Sequence, residues 1–424
     1  MNTNDVVEQM IQRLELAQPV IAKRDARYRG KQKLRFTSDE VEGDLEFFSV
    51  NICRLAVNSV AERMRPKAVA ANVGGEDVSA RANWLWRRCN MDQILQSVLA
   101  DALALGSAYL AVWTDRYGIP TITAESAEQV ITAHDPVNNE VTHAVKRWFE
   151  RNHLGAVVAE HVVLYEPDEV RHFVRNGQGS LVQQSSQFNP LGVVPVVPLI
   201  NVDRLSDTHG HSVIDDLAQL VDALSKILAD MIVASESVAR PKRWAAGVEL
   251  EEHPDGFMAD DPAMTDDPLE GQAVTPFAEG NSMWTVESPD AKFGQLEGAN
   301  LSGYRTAVDL ILQQIMAVSA LPAHMMGVTT SNPTSADAIR AAEASLTARA
   351  ESRIRVLGLA IEQALRLMIA IDREADVSAV DAEIRWASPA TRSMAQESDA
   401  VTKLLSFGVL STQEAREKIG VDSL

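Results

Sequence analysis

Leu321-Pro-Ala-His-Met-Met-Gly-Val-Thr-Thr-Ser-Asn-Pro-Thr-Ser335 is the stretch on which the fold turns. Two prolines and a glycine break any continuous helix here, and its second half is mostly small polar side chains. The stretch lies inside a longer neutral run, because no formally charged residue occurs from Leu310 to Ala336, 27 positions. Such a loop is either a plain surface connection or a mobile segment facing a polyanion that must not be gripped.

Both flanks read as helices. Before the loop, Leu301, Tyr304, Val308, Ile311, Ile315 and Val318 recur at steps of three and four, a narrow apolar seam suited to helix–helix contact. After it, Pro333 precedes a T-x-x-D capping box, Thr334 to Asp337. Ile339, Leu346, Ala350, Ile354, Leu357, Ile361, Leu365 and Met368 then form one apolar face to about Asp372. A helix that long needs several packing neighbours, which can include other subunits.

An earlier helix, Ser212 to Val238, carries a second seam of Val213, Leu217, Leu220, Leu224, Ile227 and Met231, with Asp215, Asp216, Asp222 and Asp230 mostly off it. Between the two seams, residues 241–290 hold 12 acids against only Lys242 and Arg243. This reads as an irregular, exposed insertion. Oxygen ligands such as Glu251, Glu252, Asp255, Asp260, Asp261, Asp266 and Asp267 could hold Ca²⁺ or Mg²⁺. Their spacing matches no EF-hand loop, and a partner-facing surface is the expectation.

Towards the N-terminus the first 110 residues read as helical. Val6, Val7, Met10, Leu14 and Ile21 form one amphipathic stretch interrupted by Pro19; Leu45, Phe48, Ile52, Leu55, Val60 and Met64 form another, stopped by Pro66. Trp84 to Cys89 and Ile94 to Leu105 continue to Gly106, with Trp84 and Trp86 read as core or packing residues. The period then drops to two, and Tyr109–Trp113, Ile119–Thr123, Thr142–Phe149, Val157–Leu164 and Val170–Val174 read as strands. Three prolines in Asn189–Pro198 demote that run to a sheet edge or connector. Near the C-terminus a strand at Glu383–Trp386 and helices at Ser398–Phe407 and Thr412–Ile419 are expected.

Composition bounds the function. The 424 residues allow about two or three domains, and 46% apolar with 23% charged is ordinary for a globular chain. A net charge of −20 argues against coating nucleic acid by phosphate neutralisation, without excluding a protein that lets DNA pass. Seven Lys/Arg between Lys23 and Arg35, with Tyr28 and Phe36 nearby, read either as a solvated helix end or as a contact for nucleic acid or an acidic partner. Cys53 and Cys89 form no CxxC, so a reduced intracellular compartment is expected. The first 17 residues alternate polar and apolar, unlike a signal peptide, and the window Leu310–Val328 reads as an interfacial helix rather than a membrane span. G-x-x-x-x-G-K-[ST], G-x-S-x-G, H-E-x-x-H and G-x-G-x-x-G are all absent. His209 and His211 flank Gly210 without a metal-ligand pattern around them.

The order of these parts resembles the bacteriophage portal proteins, the head-to-tail connectors of long-tailed phages, actinobacteriophage-like in type. Asn189–Asn201 (NPLGVVPVVPLIN), Ser212–Gly247 with its ARPKRWAAG ending, Leu321–Ala342 (LPAHMMGVTTSNPTSADAIRAA) and Trp386–Pro389 carry the likeness, with Lys403–Gly408 and Val421 behind them. The resemblance implies an α+β, mainly α, portal-type fold. Its parts would be a wing at 1–211, a first stem helix at 212–239, an acidic clip at 240–297 and a second stem helix at 298–320. A tunnel loop at 321–335, a long wing-spanning helix at 336–372 and a terminal α/β region at 373–424 with a reduced or absent crown would follow. Implied with it are a ring, usually of twelve subunits, at one capsid vertex, passing double-stranded DNA during packaging and ejection. The partners would be the major capsid protein, the terminase packaging motor, a head–tail adaptor and, where present, a scaffold. No enzyme activity, cofactor, metal or membrane is implied, and the location would be the virion after assembly in the host cytoplasm.

Carried onto this sequence, the DNA-facing loop residues are His324, Met325, Val328, Thr329, Thr330, Ser331, Asn332 and Thr334. Clip contacts fall on Glu251, Glu252, Asp255, Asp260, Asp261, Asp266 and Asp267. Stem subunit contacts fall on Leu217, Leu220, Leu224, Tyr304, Val308, Ile311 and Ile315. Two other readings remain open from the residues alone: another structural virion protein, such as an adaptor or capsid component, and a metal-dependent nuclease using the 251–267 acids.

Overall fold

Helix α1 (Thr3–Tyr28) runs unbroken through Pro19, contrary to the interruption expected there. Leu14 before the proline and Ile21 after it are both buried on the same side. That packing, with Gln18 donating to the Glu128 carbonyl at 2.8 Å, outweighs the single hydrogen bond the proline removes. The computed structural model describes residues 3–34, 48–177, 179–204, 207, 210–239, 243–246, 290, 292–295, 301–328, 336–390, 394–412 and 415. Its described residues fall into two compact units, 1–226 with 308–424, and 227–307.

In the larger unit, α2 (Ile52–Ala61) begins at the Asn51 cap, whose side chain accepts from the Arg54 amide. It is shorter than the Leu45–Met64 periodicity suggested: Phe48–Val50 precede it outside any helix, and Leu45 lies outside the described residues. The all-helical reading of the first 110 residues fails next, at strands β1 (Pro66–Val73) and β2 (Glu76–Asp77). Alanine at 68, 70 and 71 gives β1 little strand preference of its own. It forms because a strand some 300 residues later pairs with it, Val69 opposite Ile384. Helices α3 (Ser79–Arg88) and α4 (Met91–Leu105) follow, and Gly106 (φ +96°) ends α4.

The expected strands are present as β3 (Ser107–Thr114), β4 (Pro120–Ser126), β6 (Val141–Arg151), β7 (Val157–Tyr165) and β8 (Glu169–Asn176). Two more, β5 (Val130–His134) and β9 (Val182–Phe188), escaped the alternation rule. β5 is only five residues long, and β9 is polar between its end residues and exposed throughout. Strands β5 to β9 form one antiparallel meander in sequence order. Val7, Met10, Ile11 and Leu14 of α1 close its inner face against Ile131, Val145, Val162, Leu164 and Phe173. Charge seals the rim: buried Glu160 meets Arg147 at 2.5 Å and Arg175 at 3.4 Å, which reach Glu15 and Glu8 on α1. The proline-rich run ends in β10 (Val196–Ile200), an edge strand of the order β10-β3-β4, as its prolines require.

Helix α5 (Val213–Ala239) starts where Gly210 lies against Gly106. A Cβ on Gly106 would come within 2.9 Å of the Gly210 carbonyl, and one on Gly210 would run into the Gly106 backbone. Both glycines have positive φ, so the approach and the dihedral demand the same residue. The smaller unit contains the end of α5, the hairpin of β11 (Arg243–Ala246) with β12 (Lys292–Gln295), and the start of α6 (Ser302–Ser319). The acids at 251–267 lie outside the described residues.

Helix α7 (Ala336–Arg373) is about 57 Å long at 1.5 Å per residue. It runs against α2, β3, β4, β10 and β13 (Val380–Trp386), so one helix joins two of the sheets. Its capping residue Thr334 lies outside the described residues. β13 bears out the expected terminal strand, and α8 (Met394–Ser406) the first of the two terminal helices; most of 412–419 lies outside the described residues. Helices hold 50% of the described residues and strands 25%, the α+β, mainly α, content expected. Among the described residues no helix is long and apolar enough to cross a membrane, and no three His, Cys, Asp or Glu gather as metal ligands.

Candidate functional site

The neutral loop leaves α6 through a built corner. Ser319 Oγ donates to the Ile315 carbonyl at 2.6 Å and accepts from the Leu321 amide at 3.2 Å, capping the helix end. Ala320 takes φ +59°, a left-handed turn made without glycine. Leu321 is buried directly afterwards, which holds that conformation in place. A 3-10 turn, Ala323–Met326, follows and stops at Gly327 (φ +72°), where Val328 N donates back to the Ala323 carbonyl.

Two neighbouring helices hold this root. From α7, Arg349 Nη2 donates to the Val318 carbonyl at 2.9 Å, satisfying an acceptor that the helix end leaves over. Burial, with Arg353 beside it, lowers the Arg349 pKa. Also from α7, Glu343 places one carboxylate oxygen 3.2 Å from His324 Nε2 and the other 3.4 Å from Arg63 Nη2. Arg63, just past α2, donates to the Ser59 carbonyl at 2.9 Å, and Ser59 Oγ lies 4.0 Å from Met325 Sδ. The Glu343 side chain is 8% exposed and that of His324 45%, so one end of this chain of contacts is sealed and the other open.

Of the eight residues carried onto the loop, His324, Met325 and Val328 stand in this root. Thr329, Thr330, Ser331, Asn332 and Thr334 lie outside the described residues, as do all seven clip acids. Of the stem residues, Leu217 and Leu224 are covered within the chain's own larger unit, and so is Ile315. Leu220, Tyr304, Val308 and Ile311 are half-buried.

The basic stretch at 23–35 divides: Lys23, Arg29, Lys31 and Lys33 are exposed at the end of α1, as a solvated helix end would have them, whereas Arg24 and Arg27 turn inward. Arg24 meets Asp215 at 2.5 Å and donates to the Leu105 carbonyl, and Arg27 meets Asp222 at 2.7 Å. Asp215 and Asp222, seven apart, share one face of α5, which α1 neutralises. Trp86 is buried and donates to Asp92, but Trp84 is 39% exposed and stacked by Arg81 and Arg88 at 4.3 and 5.5 Å, so it is not a core residue. His211 sits 3.4 Å from Asp216; His209 lies outside the described residues. Both cysteines are free thiols, and burial pushes Cys53 up to about 12.

Sequence reasoning missed Glu343, Arg349 and Arg63. For Glu343 a signal was present: with Arg353 it occupies the apolar stripe of α7, at 343, 346, 350, 353 and 357. Charges on a buried helical face need partners.

Residues 8–422 match the phage portal proteins of SPP1 Gp6-like type. The chain belongs to the phage portal protein family. The portal protein of Mycobacterium phage D29 is 30% identical over 385 residues, covering 87% of this chain and 75% of that protein. The portal protein of Mycobacterium phage L5 is 28% identical over 435 residues, covering 98% and 85%. Among solved structures, a chain from the neck of an empty gene transfer agent particle superposes with a TM-score of 0.46 at 14% identity, covering 93% of this chain and 96% of that one. A chain from the neck of a native particle gives 0.45, also at 14% identity, covering 94% and 98%. In this portal-family chain the neutral 321–335 segment thus leaves a corner gripped by α2 and α7.

Proposed function

We propose that this portal protein assembles into a ring, with the twelve subunits the family resemblance implies, that forms a channel for double-stranded DNA at one capsid vertex. In this reading residues 1–211 form the wing, 212–239 and 298–320 the stem, 240–297 the clip, 321–335 the tunnel loop and 336–372 the long helix. The region 373–424 closes the wing, since β13 completes the β1 sheet. Family membership over nearly the whole chain is the observation that carries the proposal.

Two physical features support it. Of 18 residues in α6, only Ile315 and Ser319 are buried, while apolar Leu310 and Val318 are 58% and 37% exposed. A helix so poorly covered by its own chain is completed by a neighbouring copy. The second feature is the neutral run. Every Lys–phosphate contact adds affinity that translocation must break, so an uncharged loop guides DNA with little retention. The clip acids would face basic surfaces on the terminase and then on the head–tail adaptor. Imaging purified particles down their axis tests the assembly: closed rings with a channel of duplex width are expected, and particles without one would overturn the proposal.

A further inference from the structure

The neutral run contains a single ionisable side chain, His324, and that side chain is already engaged. Its imidazole meets Glu343, whose other carboxylate oxygen faces Arg63. Arg63 is tied to the Ser59 carbonyl, and Ser59 Oγ touches the sulfur of Met325, next in sequence to His324. The contacts therefore close a loop that begins and ends on the same 3-10 turn and passes through α7 and the end of α2. Arg349 adds a grip on the last turn of α6. The root is held from two elements, α7 and the end of α2, and Glu343 is the member that joins them.

We propose that Glu343 is a positioning residue for DNA passage: it sets where the tunnel loop leaves its root and keeps the one titratable group of the neutral run occupied. The proposal rests on the reading of 321–335 as the DNA-facing loop. A sealed carboxylate between a guanidinium and an imidazole has little freedom to re-pair, so the corner is defined to within a side-chain contact. Without Glu343, Arg63 loses its carboxylate in a mostly buried site and His324 is released as a free imidazole. The loop would then leave the corner in more than one direction, with a protonatable group exposed beside passing phosphates.

The test uses the assembled ring in packaging-competent heads, with Cys89→Ser and Val328→Cys carrying a nitroxide. Glu343→Gln and His324→Ala are compared with the parent; His324→Ala leaves the Glu343–Arg63 pair intact and so decides the matter if the Glu343 variant fails to assemble. Both are expected to raise label mobility and to reduce packaged DNA severalfold while rings still form. Glu343→Asp should recover part of the loss. Unchanged label mobility in both variants would overturn the latch, and raised mobility with full packaging would overturn the positioning role. Thr329→Lys with Thr330→Lys tests the underlying reading separately. If packaging is unaffected by those lysines, the loop does not face DNA, whereas the label readout still judges the latch.

Discussion

Helices α6 and α7 flank the same neutral loop and carry the same kind of apolar stripe, yet their burial is opposite. On α7, Leu346, Ala350, Leu357, Ile361, Leu365 and Met368 are sealed, because two sheets and α2 lie against them. On α6 the stripe is half-open, and Leu310 protrudes beside it. Periodicity reports which face of a helix is apolar; it does not report whether the chain itself supplies the cover. In the ring proposed above, the uncovered stripe is where a second copy would contribute.

The largest expected effect breaks the sealed side. Leu357→Ala on α7 should cost about 3 kcal/mol of stability, since it opens a cavity that the flanking strands cannot collapse to fill. Chemical denaturation of the single chain would measure it, and a cost below about 1 kcal/mol would mean that α7 is less tightly covered than its burial indicates.

The contrast between sealed and open extends to charge. Arg27→Ala leaves Asp222 mostly buried without its closest cation, and about 2 kcal/mol should be lost, in keeping with a partly buried ion pair. Asp101 is the under-compensated counterpart. Burial first, then Asp25 and Glu128, raise its pKa to about 6. A raised carboxylate pKa means the folded chain binds the proton more tightly, so stability increases as pH falls from about 6 towards the unfolded value near 4. At neutral pH the group is ionised in both states and the folded chain bears the full penalty. Asp101→Asn should therefore raise stability at pH 7 by about 1 kcal/mol, with the gain fading through pH 6 and gone near pH 4. Melting temperatures of both proteins across that range would decide it.

The smallest effect on folding belongs to the open side. Leu310→Ser should change single-chain stability by less than about 0.5 kcal/mol, as expected for an exposed position. Ring formation, followed by sedimentation, should weaken markedly. If assembly is untouched, this part of α6 is not a subunit contact, and the comparison with α7 loses its functional meaning.

Much of the architecture was legible from local pattern. The long helices, five of the strands, the edge role of the proline-rich run and the terminal strand all follow from periods of 3.6 or 2 and from proline's missing N–H. What escaped had a local signal that was weak or contrary. Pro19 argued for a break that packing on both sides of it overrides, and alanine-rich β1 became a strand only through β13.

The site divides along the same line. The sequence by itself determined that a neutral, proline-punctuated loop joins two amphipathic helices, because charge and backbone permission belong to single residues. It also determined that Glu343 and Arg353 stand on an apolar stripe and therefore need partners. Only the tertiary structure decided who those partners are: Arg63 and His324 for Glu343, Asp203 for Arg353, and α1's Arg24 and Arg27 for the α5 acids. Ion pairs depend on distances of a few ångströms between residues up to 280 positions apart, and the periodicity of one helix holds no information about the chain that will lie across it.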